Sequence, residues 1–262
     1  MEDRMDQSAL EPLVRKKHIA LETLERYTGS APERFQPYIL LTNFQLYAER
    51  FAAGDRKSSH RGSAMSAVHD PAAGISLVCF GIGSPNAALI VDVLSAVEPK
   101  AMLFLGMCGG LSEKHRVGDF FLPTAAIRDD GASHHYLPER VPALPYFLIQ
   151  RHLSLELDRR GLTCRHGIIH TTSYRFWEFD GAFRETLIAE RARAIDMETA
   201  TVFAVGFALD LKVGALLLIS DLPLTVEGIK TRRSSRVVFD KFTGLHLETG
   251  IETLIRMQHN SG

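Results

Sequence analysis

The chain has 262 residues, of which 45% are hydrophobic and 23% charged, so it can bury a large core. Its 30 Lys and Arg residues nearly balance 31 Asp and Glu residues, which argues against nucleic acid or an anionic membrane as a partner. The charged N-terminus does not resemble a signal peptide, and no apolar run is long enough to span a membrane. Three widely spaced cysteines in apolar surroundings give no disulfide framework, so we expect a cytoplasmic protein.

The first elements divide the chain into an N-terminal helical extension, residues 1–36, and a main domain, residues 37–262. Helix-favouring charged residues fill the extension up to the turn signal TGSAP. The main domain opens with a short apolar strand in PYILLTNF, residues 37–44, and a short helix in QLYAERFAAG. The segment 57–74 is rich in Ser, Ala and Gly, which predicts a hairpin tip or a mobile loop.

Apolar strands then alternate with helices along the rest of the chain. Buried strands are predicted at 75–83, 101–111, 120–130, 167–173 and 213–221, and helices at 84–99, 146–160, 199–211 and from Ser234 onwards. Apolar strands that lack period-two alternation are typical of a sheet that is covered on both faces. We therefore predict an α/β fold with a central mixed β-sheet flanked by helices on both faces.

Polar residues and glycines at the ends of these strands are the first candidates for a site, because ligands of open α/β sheets bind beyond the carboxyl ends of the strands. They are Thr42, Asn43, Gly81, Gly83, Ser84, 106–110, 171–173, Ser220 and Asp221. Asp221 is the most informative, since an apolar strand runs directly into it. Burial raises the pKa of a carboxyl group and suits it to general-acid catalysis. A cap for the turn before Pro223 explains the same residue equally well.

Three further motifs are ambiguous when taken singly. GIGSPNAA lacks the longer dinucleotide fingerprint, which favours a tight strand-to-helix turn over a phosphate loop. Phe176 and Trp177 in SYRFWEF could stack on a flat base or pack in the core. The basic run EGIKTRRSSR could be a solvated loop or could bind phosphate, because guanidinium groups hold phosphate oxygens bidentately. The adjacent pair His134 and His135 has no third ligand at suitable spacing, so no metal site is predicted.

The stretch AIDMETA places Asp196 and Glu198 ahead of the apolar run TVFAVGFALDL. Acids at a helix N-terminus interact favourably with the helix dipole, which explains the two carboxylates. It does not explain why Met197 lies between them or why the following segment is almost entirely apolar. A buried carboxylate needs hydrogen-bond partners, and a ligand diol would supply them.

In this order, the motifs resemble those of the nucleoside phosphorylase and nucleosidase family from about Pro37 to the C-terminus. IDMETATVFAVG resembles its glutamate–methionine–glutamate signature, and LLLISD resembles its last strand, which ends in the aspartate that protonates the purine. GIGSPNAA and LFLGMCGGLSEKHRVGDFFLP resemble its two glycine loops. The resemblance implies a three-layer α/β/α sandwich and a homo-oligomer, either hexameric or otherwise built from dimers.

The resemblance also implies roles for individual residues. Asp221 would donate to purine N7, and Glu198 would accept hydrogen bonds from the ribose 2′ and 3′ hydroxyls. Met197 would pack against the sugar, with Asp196 at the rim of the site. The remaining candidates are Phe176 or Trp177 for stacking on the base, Gly83, Ser84 and Gly109 in the glycine loops, Thr42 and Asn43 for placing the water, and Lys230, Arg232 and Arg233 for the 5′-phosphate.

One departure from the family pattern decides the expected reaction. Phosphorylases of this family carry a phosphate-binding arginine next to the second glycine loop, where this chain has Phe104 and Met107. Phosphate would be poorly held there, whereas water needs no such cation. The stretches AIRDDGAS, RFWEFDGAF and SDLPLTVEGIKT resemble the AMP-hydrolysing branch of the family.

We therefore expect the small-molecule substrate to be AMP, cleaved to adenine and ribose 5-phosphate without a metal or an organic cofactor. Three alternatives stay open at this point. The chain could be a nucleosidase for another adenosine derivative, or a phosphorylase that takes its phosphate arginine from elsewhere, for example Arg61. It could also be a nucleotide-binding protein without activity.

Overall fold

A computed structural model describes residues 7–53, 57–225, 228 and 232–259, without the side chains of residues 7–10 and 232–235. The helices in this part of the chain are α1 (Gln7–Thr28), α2 (Gln45–Ala52), α3 (Ser84–Leu94), α4 (Phe147–Arg159), α5 (Gly181–Ala189), α6 (Thr199–Ala208) and α7 (Arg232–His259). The strands are β1 (Tyr38–Thr42), β2 (Ser58–Arg61), β3 (Ser66–Asp70), β4 (Ile75–Cys79), β5 (Ala101–Gly110), β6 (Phe120–Asp129), β7 (Cys164–Thr172), β8 (Ala194–Asp196) and β9 (Val213–Asp221).

Every strand and helix that the apolar pattern predicts is present at close to its predicted position. The segment 57–74 forms the antiparallel pair β2 and β3, so the hairpin interpretation is the one the structure confirms. The pattern did not predict α5 or β8. α5 begins at an N-cap, Asp180, whose side chain accepts a hydrogen bond from the backbone N–H of Phe183, and this cap is a sequence signal for a helix start.

The strands form one mixed sheet in the order β2-β3-β4-β1-β5-β8-β7-β6-β9, and β5 also pairs with β9 along its length. β9 in turn pairs with β6 at two positions, and β8 joins β7 to the end of β5. The sequence of pairings β5-β9-β6-β7-β8-β5 therefore returns to its starting strand. Half of the sheet is closed into a five-stranded barrel, and the other half extends from it as β1, β4, β3 and β2.

Helices cover the sheet on both faces, which confirms the predicted fold class. α1, α3 and α6 pack over one hydrophobic core, and α2, α4 and α7 pack over the other. β5 shows why the strands lack polar alternation: Met102 and Phe104 point into the first core, while Leu103 and Leu105 point into the second.

The N-terminal helix α1 lies against α3. Its buried contacts include Ala20 and Leu24, and Lys16 forms an ion pair of 2.8 Å with Asp92 of α3. The division of the chain into an extension, 1–36, and a main domain, 37–262, stays a prediction. Among the described helices, none is both long and apolar enough to cross a membrane.

Candidate active site

A cavity of about 160 Å³ lies where the ends of several strands meet. It is bounded by residues that follow β1, β4 and β7, by the ends of β5, β8 and β9, and by the start of α6. The predicted site residues that line it are Asn43, Gly109, Trp177, Asp196, Met197, Glu198 and Asp221. Residues far apart in the sequence therefore converge at one edge of the sheet, as the strand-end argument predicts.

Glu198 is buried and lines this cavity. Its Oε1 accepts a hydrogen bond of 2.7 Å from the backbone N–H of Gly83, and the Asn43 side chain also hydrogen-bonds the carboxyl group. Burial, followed by the negative charge of Asp196, raises the pKa of Glu198 to about 8. A ligand that donates hydrogen bonds to this carboxyl group would therefore stabilise its ionised form.

Asp196, the other acid of the pair with Glu198, has a structural role. Its Oδ1 accepts from the Thr171 hydroxyl at 2.6 Å, and its Oδ2 accepts from the backbone N–H of Thr199 at 2.8 Å. Thr199 is the first residue of α6, so Asp196 caps the helix and the Glu198 side chain is left to face the cavity. Burial raises the pKa of Asp196, and these hydrogen bonds oppose that rise. Asp196 is 7% exposed, so it is buried and does not form an open rim.

Asp221 ends β9 and lines the same cavity. The Ser220 hydroxyl donates to its Oδ1 at 2.6 Å, which fixes the orientation of the carboxyl group. Asp221 pairs with Gly109 of β5 at a point where the register shifts after Cys108, an irregularity of the kind that re-aims side chains. A Cβ atom on Gly109 would lie 3.2 Å from Pro223 and 3.3 Å from Ile195, so glycine permits the close approach of these walls.

The segment after β7 forms the remaining wall. Trp177 is 5% exposed and lines the cavity, whereas Phe176 is 65% exposed and does not. Arg175 and Glu178 also line it, and the Arg175 guanidinium donates to Glu178 Oε1 at 2.9 Å. Stacking on the base stays a prediction for Trp177, the one of the two aromatic residues that lines the cavity.

The other predicted residues lie behind the cavity or outside the described residues. Ser84 donates from its hydroxyl to the Met197 carbonyl oxygen at 2.7 Å, Gly83 contacts Glu198 through its N–H, and Thr42 is fully buried in β1. Ser84, Gly83 and Thr42 therefore stabilise the cavity wall from behind. Lys230 lies outside the described residues, as do the side chains of Arg232 and Arg233 at the start of α7.

Sequence reasoning missed several cavity residues, of which Arg175 and Glu178 carry charge. The available signal was their three-residue spacing around the only tryptophan of the chain. Met107 lines the cavity beside Gly109, at a position where the family pattern expects a phosphate donor, while Phe104 is fully buried in the core. Arg61 is an exposed residue at the end of β2 and does not line the cavity.

A larger cavity of about 720 Å³ lies between α1 and α3, and it contains none of the residues that gather at the strand ends. Within the part of the chain that the structure describes, no group of three or more His, Cys, Asp or Glu residues is arranged to hold a metal ion.

The barrel-containing sheet and this cavity define a class of protein. The family model of the phosphorylase superfamily matches residues 38–241, and the chain belongs to this superfamily. The chain is 31% identical to the AMP nucleosidase of Escherichia coli (strain K12), over 92% of its own length and 59% of that protein. It therefore spans about three fifths of this curated relative.

Solved structures give the same grouping. The crystal structure of AMP nucleosidase from Bacteroides thetaiotaomicron VPI-5482 is 40% identical, with a TM-score of 0.83 over 94% of this chain and 99% of that one. Uridine phosphorylase from Vibrio fischeri ES114 has a TM-score of 0.76 at 19% identity, over 86% of this chain and 94% of that one. At that identity the second structure shows a shared fold only.

Proposed function

We propose that the chain hydrolyses the N-glycosidic bond of AMP to give adenine and ribose 5-phosphate. The observation that carries this proposal is the convergence of Asp221 and Glu198 in one cavity that has Met107 in its wall. The similarity to two proteins named AMP nucleosidase, one of them at 40% identity over almost its whole length, supports the same activity.

In the proposed reaction, Asp221 activates the leaving group. Its carboxyl group donates a proton or hydrogen bond to N7 of adenine, so that the departing base does not leave as an anion. The hydrogen bond from the Ser220 hydroxyl to Oδ1 holds the carboxyl group of Asp221 in a fixed orientation at the cavity wall. Trp177 stacks on the base from the segment after β7.

Glu198 holds the sugar. The ribose 2′ and 3′ hydroxyls donate to its carboxylate, and Met197 packs against the ring. As the glycosidic bond breaks, positive charge develops on the sugar, and a nearby carboxylate stabilises that charge. The Gly83 N–H and the Asn43 side chain orient the carboxylate for this role.

Water is the proposed nucleophile, for two reasons. The Met107 thioether has no positive charge with which to hold a phosphate ion. In addition, the Oδ1 atom of Asn43 is buried beside Glu198, and none of the described residues donates a hydrogen bond to it. A water molecule can donate to such an acceptor, so Asn43 is proposed to place it, with Thr42 supporting the end of the strand. This chemistry requires no metal and no organic cofactor.

Lys230, Arg232 and Arg233 are proposed to bind the 5′-phosphate, because their cationic groups can hold phosphate oxygens. A cavity of about 160 Å³ is small beside the roughly 300–1,000 Å³ of most ligand pockets, which supports a site to which further groups contribute.

Exposed Ile82, Phe176 and Phe179 near the mouth of the cavity support a homo-oligomer, hexameric or otherwise built from dimers, that covers them.

We also propose a cytoplasmic location, because no disulfide joins Cys79, Cys108 and Cys164.

The test is release of adenine from AMP and from adenosine, each with and without inorganic phosphate. We expect release from AMP that does not depend on phosphate. Asp221→Asn is expected to lower kcat by about 10²–10⁴-fold, the usual contribution of a positioned general acid. Asp210→Asn is the matched control: Asp210 is exposed, and its φ of 54° is a conformation that asparagine adopts readily.

The other outcomes would identify the alternatives. Equal release from AMP and adenosine would indicate a nucleosidase for another adenosine derivative. Release from adenosine that requires phosphate would indicate a phosphorylase. Tight binding of AMP without turnover would indicate a nucleotide-binding protein.

A further inference from the structure

Glu178 has a carboxylate oxygen that the described residues leave without a partner. Its side chain is only 6% exposed, and Oε1 accepts the hydrogen bond from Arg175. Oε2 is buried, and within the described part of the chain no group donates to it. A buried carboxylate oxygen without a donor is costly, so this atom indicates a ligand that donates a hydrogen bond.

The position of Glu178 in the cavity shows which part of the ligand it would meet. The proposed sugar-binding groups come from the residues after β1 and β4 and from the start of α6, where Asn43 and Gly83 contact Glu198. Glu178 comes from the segment that follows β7, immediately after Trp177, and lines the same cavity. Because Trp177 is proposed to stack on the base, the adjacent Glu178 is assigned to the base and not to the sugar.

We propose that Glu178 recognises the exocyclic amino group of a 6-aminopurine, an inference that rests on the proposed function. On one edge of adenine, the 6-amino group lies next to N7, the atom assigned to Asp221. The amino group can donate to Glu178 Oε2, while Arg175 holds the other oxygen and keeps the carboxylate facing the cavity. Asp221 and Glu178 together then recognise N7 and the 6-amino group of this edge.

This arrangement selects against purines with a different group at carbon 6. A 6-oxopurine presents a carbonyl oxygen there, which brings two acceptors together and leaves the buried carboxylate without a donor. A purine without a substituent at carbon 6 avoids the repulsion but also leaves Oε2 without a partner. Glu178 is therefore a specificity-determining residue, whereas Arg175 is a positioning residue.

The test compares kcat/KM for three nucleoside 5′-monophosphates that carry 6-aminopurine, 6-oxopurine and unsubstituted purine. Hydrogen bonds to charged groups have a strength that corresponds to roughly 10- to 100-fold in kcat/KM. We expect the preference of the wild type for the 6-amino substrate over the unsubstituted one to shrink by about this factor in Glu178→Ala. Comparing this ratio between proteins cancels the different intrinsic reactivities of the bases.

Glu178→Gln provides the second variant, since it keeps the shape of the side chain. Its amide can donate to a carbonyl oxygen, so the ratio of 6-oxo to 6-amino turnover is expected to rise at least tenfold. Glu185→Gln, an exposed glutamate of α5, is the matched control and should leave both ratios unchanged.

The outcomes separate this inference from the function on which it rests. If the wild type releases adenine from AMP but both substrate ratios are the same in the wild type and the two variants, Glu178 does not contact the amino group. If the wild type releases no base from AMP, the proposed function itself fails.

Discussion

Binding of a nucleotide at Glu198 is predicted to expel a proton. In the empty site, burial and the charge of Asp196 raise the pKa of Glu198 to about 8, so the carboxyl group is mostly protonated at pH 7. Ribose hydroxyls that donate to the carboxylate favour its ionised form and lower its pKa in the complex. The proton must then leave to solvent as the ligand binds.

The size of the effect follows from this pKa. At pH 7 a group with a pKa near 8 is only about one-tenth ionised, so full ionisation on binding releases about 0.9 proton per site. At pH 9 the same group is already about nine-tenths ionised, and binding releases about 0.1 proton. Proton release therefore decreases as the pH rises through the pKa of the empty site.

Titration calorimetry in buffers of different ionisation enthalpy measures this number. The ligand should be a C-nucleotide analogue of AMP, in which a carbon–carbon bond replaces the glycosidic bond and prevents hydrolysis. Glu198→Gln removes the titrating group, so the difference between wild type and variant separates Glu198 from the phosphate of the ligand. Asp196→Asn should release less than the wild type at pH 7, since losing the neighbouring charge lowers the pKa of Glu198.

The prediction would be refuted if the difference in proton release between the wild type and Glu198→Gln were near zero at pH 7, or if it increased towards pH 9. A difference near zero would mean that Glu198 does not change its ionisation on binding, and an increase towards pH 9 would mean that its pKa in the empty cavity lies well above 8.

Three further predictions concern stability and binding. Because the folded state raises the pKa of Glu198 from 4.5 to about 8, ionising this residue destabilises the fold. The free energy of unfolding of Glu198→Gln should therefore exceed that of the wild type at pH 8 by on the order of 4 kcal/mol. Thermal unfolding should show this difference decreasing towards pH 5. Gly106→Ala places a methyl group 2.5 Å from the Phe104 ring and should cost about 1–3 kcal/mol in denaturant unfolding, whereas Gly181→Ala, with nothing within 4 Å, should cost nothing. Trp177→Ala should raise the KM for AMP about tenfold, and an unchanged KM would contradict stacking.

The strands could be predicted from the sequence because both of their faces are buried, which produces long apolar runs. β8 could not be predicted: it has three residues, and it is a strand only because β5 and β7 pair with it on either side. The closed barrel was not predictable either, since the contact of β6 with β9 involves two residue pairs about a hundred positions apart. Local patterns carry no information about such pairings.

The same limit applies to the site. Asp221 could be selected because it ends an apolar strand, and Glu198 because it belongs to a motif that resembles a known signature. For Glu178 the spacing from Arg175 around the tryptophan was the one available signal, because its place in the cavity depends on the irregular segment after β7 and not on any periodic pattern. That its Oε2 has no donor among the described residues can be recognised only from the folded structure.

Closure of the barrel also affects how the protein avoids aggregation. A sheet of nine strands normally has two edges at which a strand of another molecule can pair. Among the described strands, the barrel pairs one end of this sheet with itself, which leaves β2 as the free edge. That edge has four residues, Ser58–Arg61, all polar and ending in an exposed arginine. Short, charged edges are poor templates for strand addition, so the arrangement that builds the site also leaves little surface for edge-to-edge association.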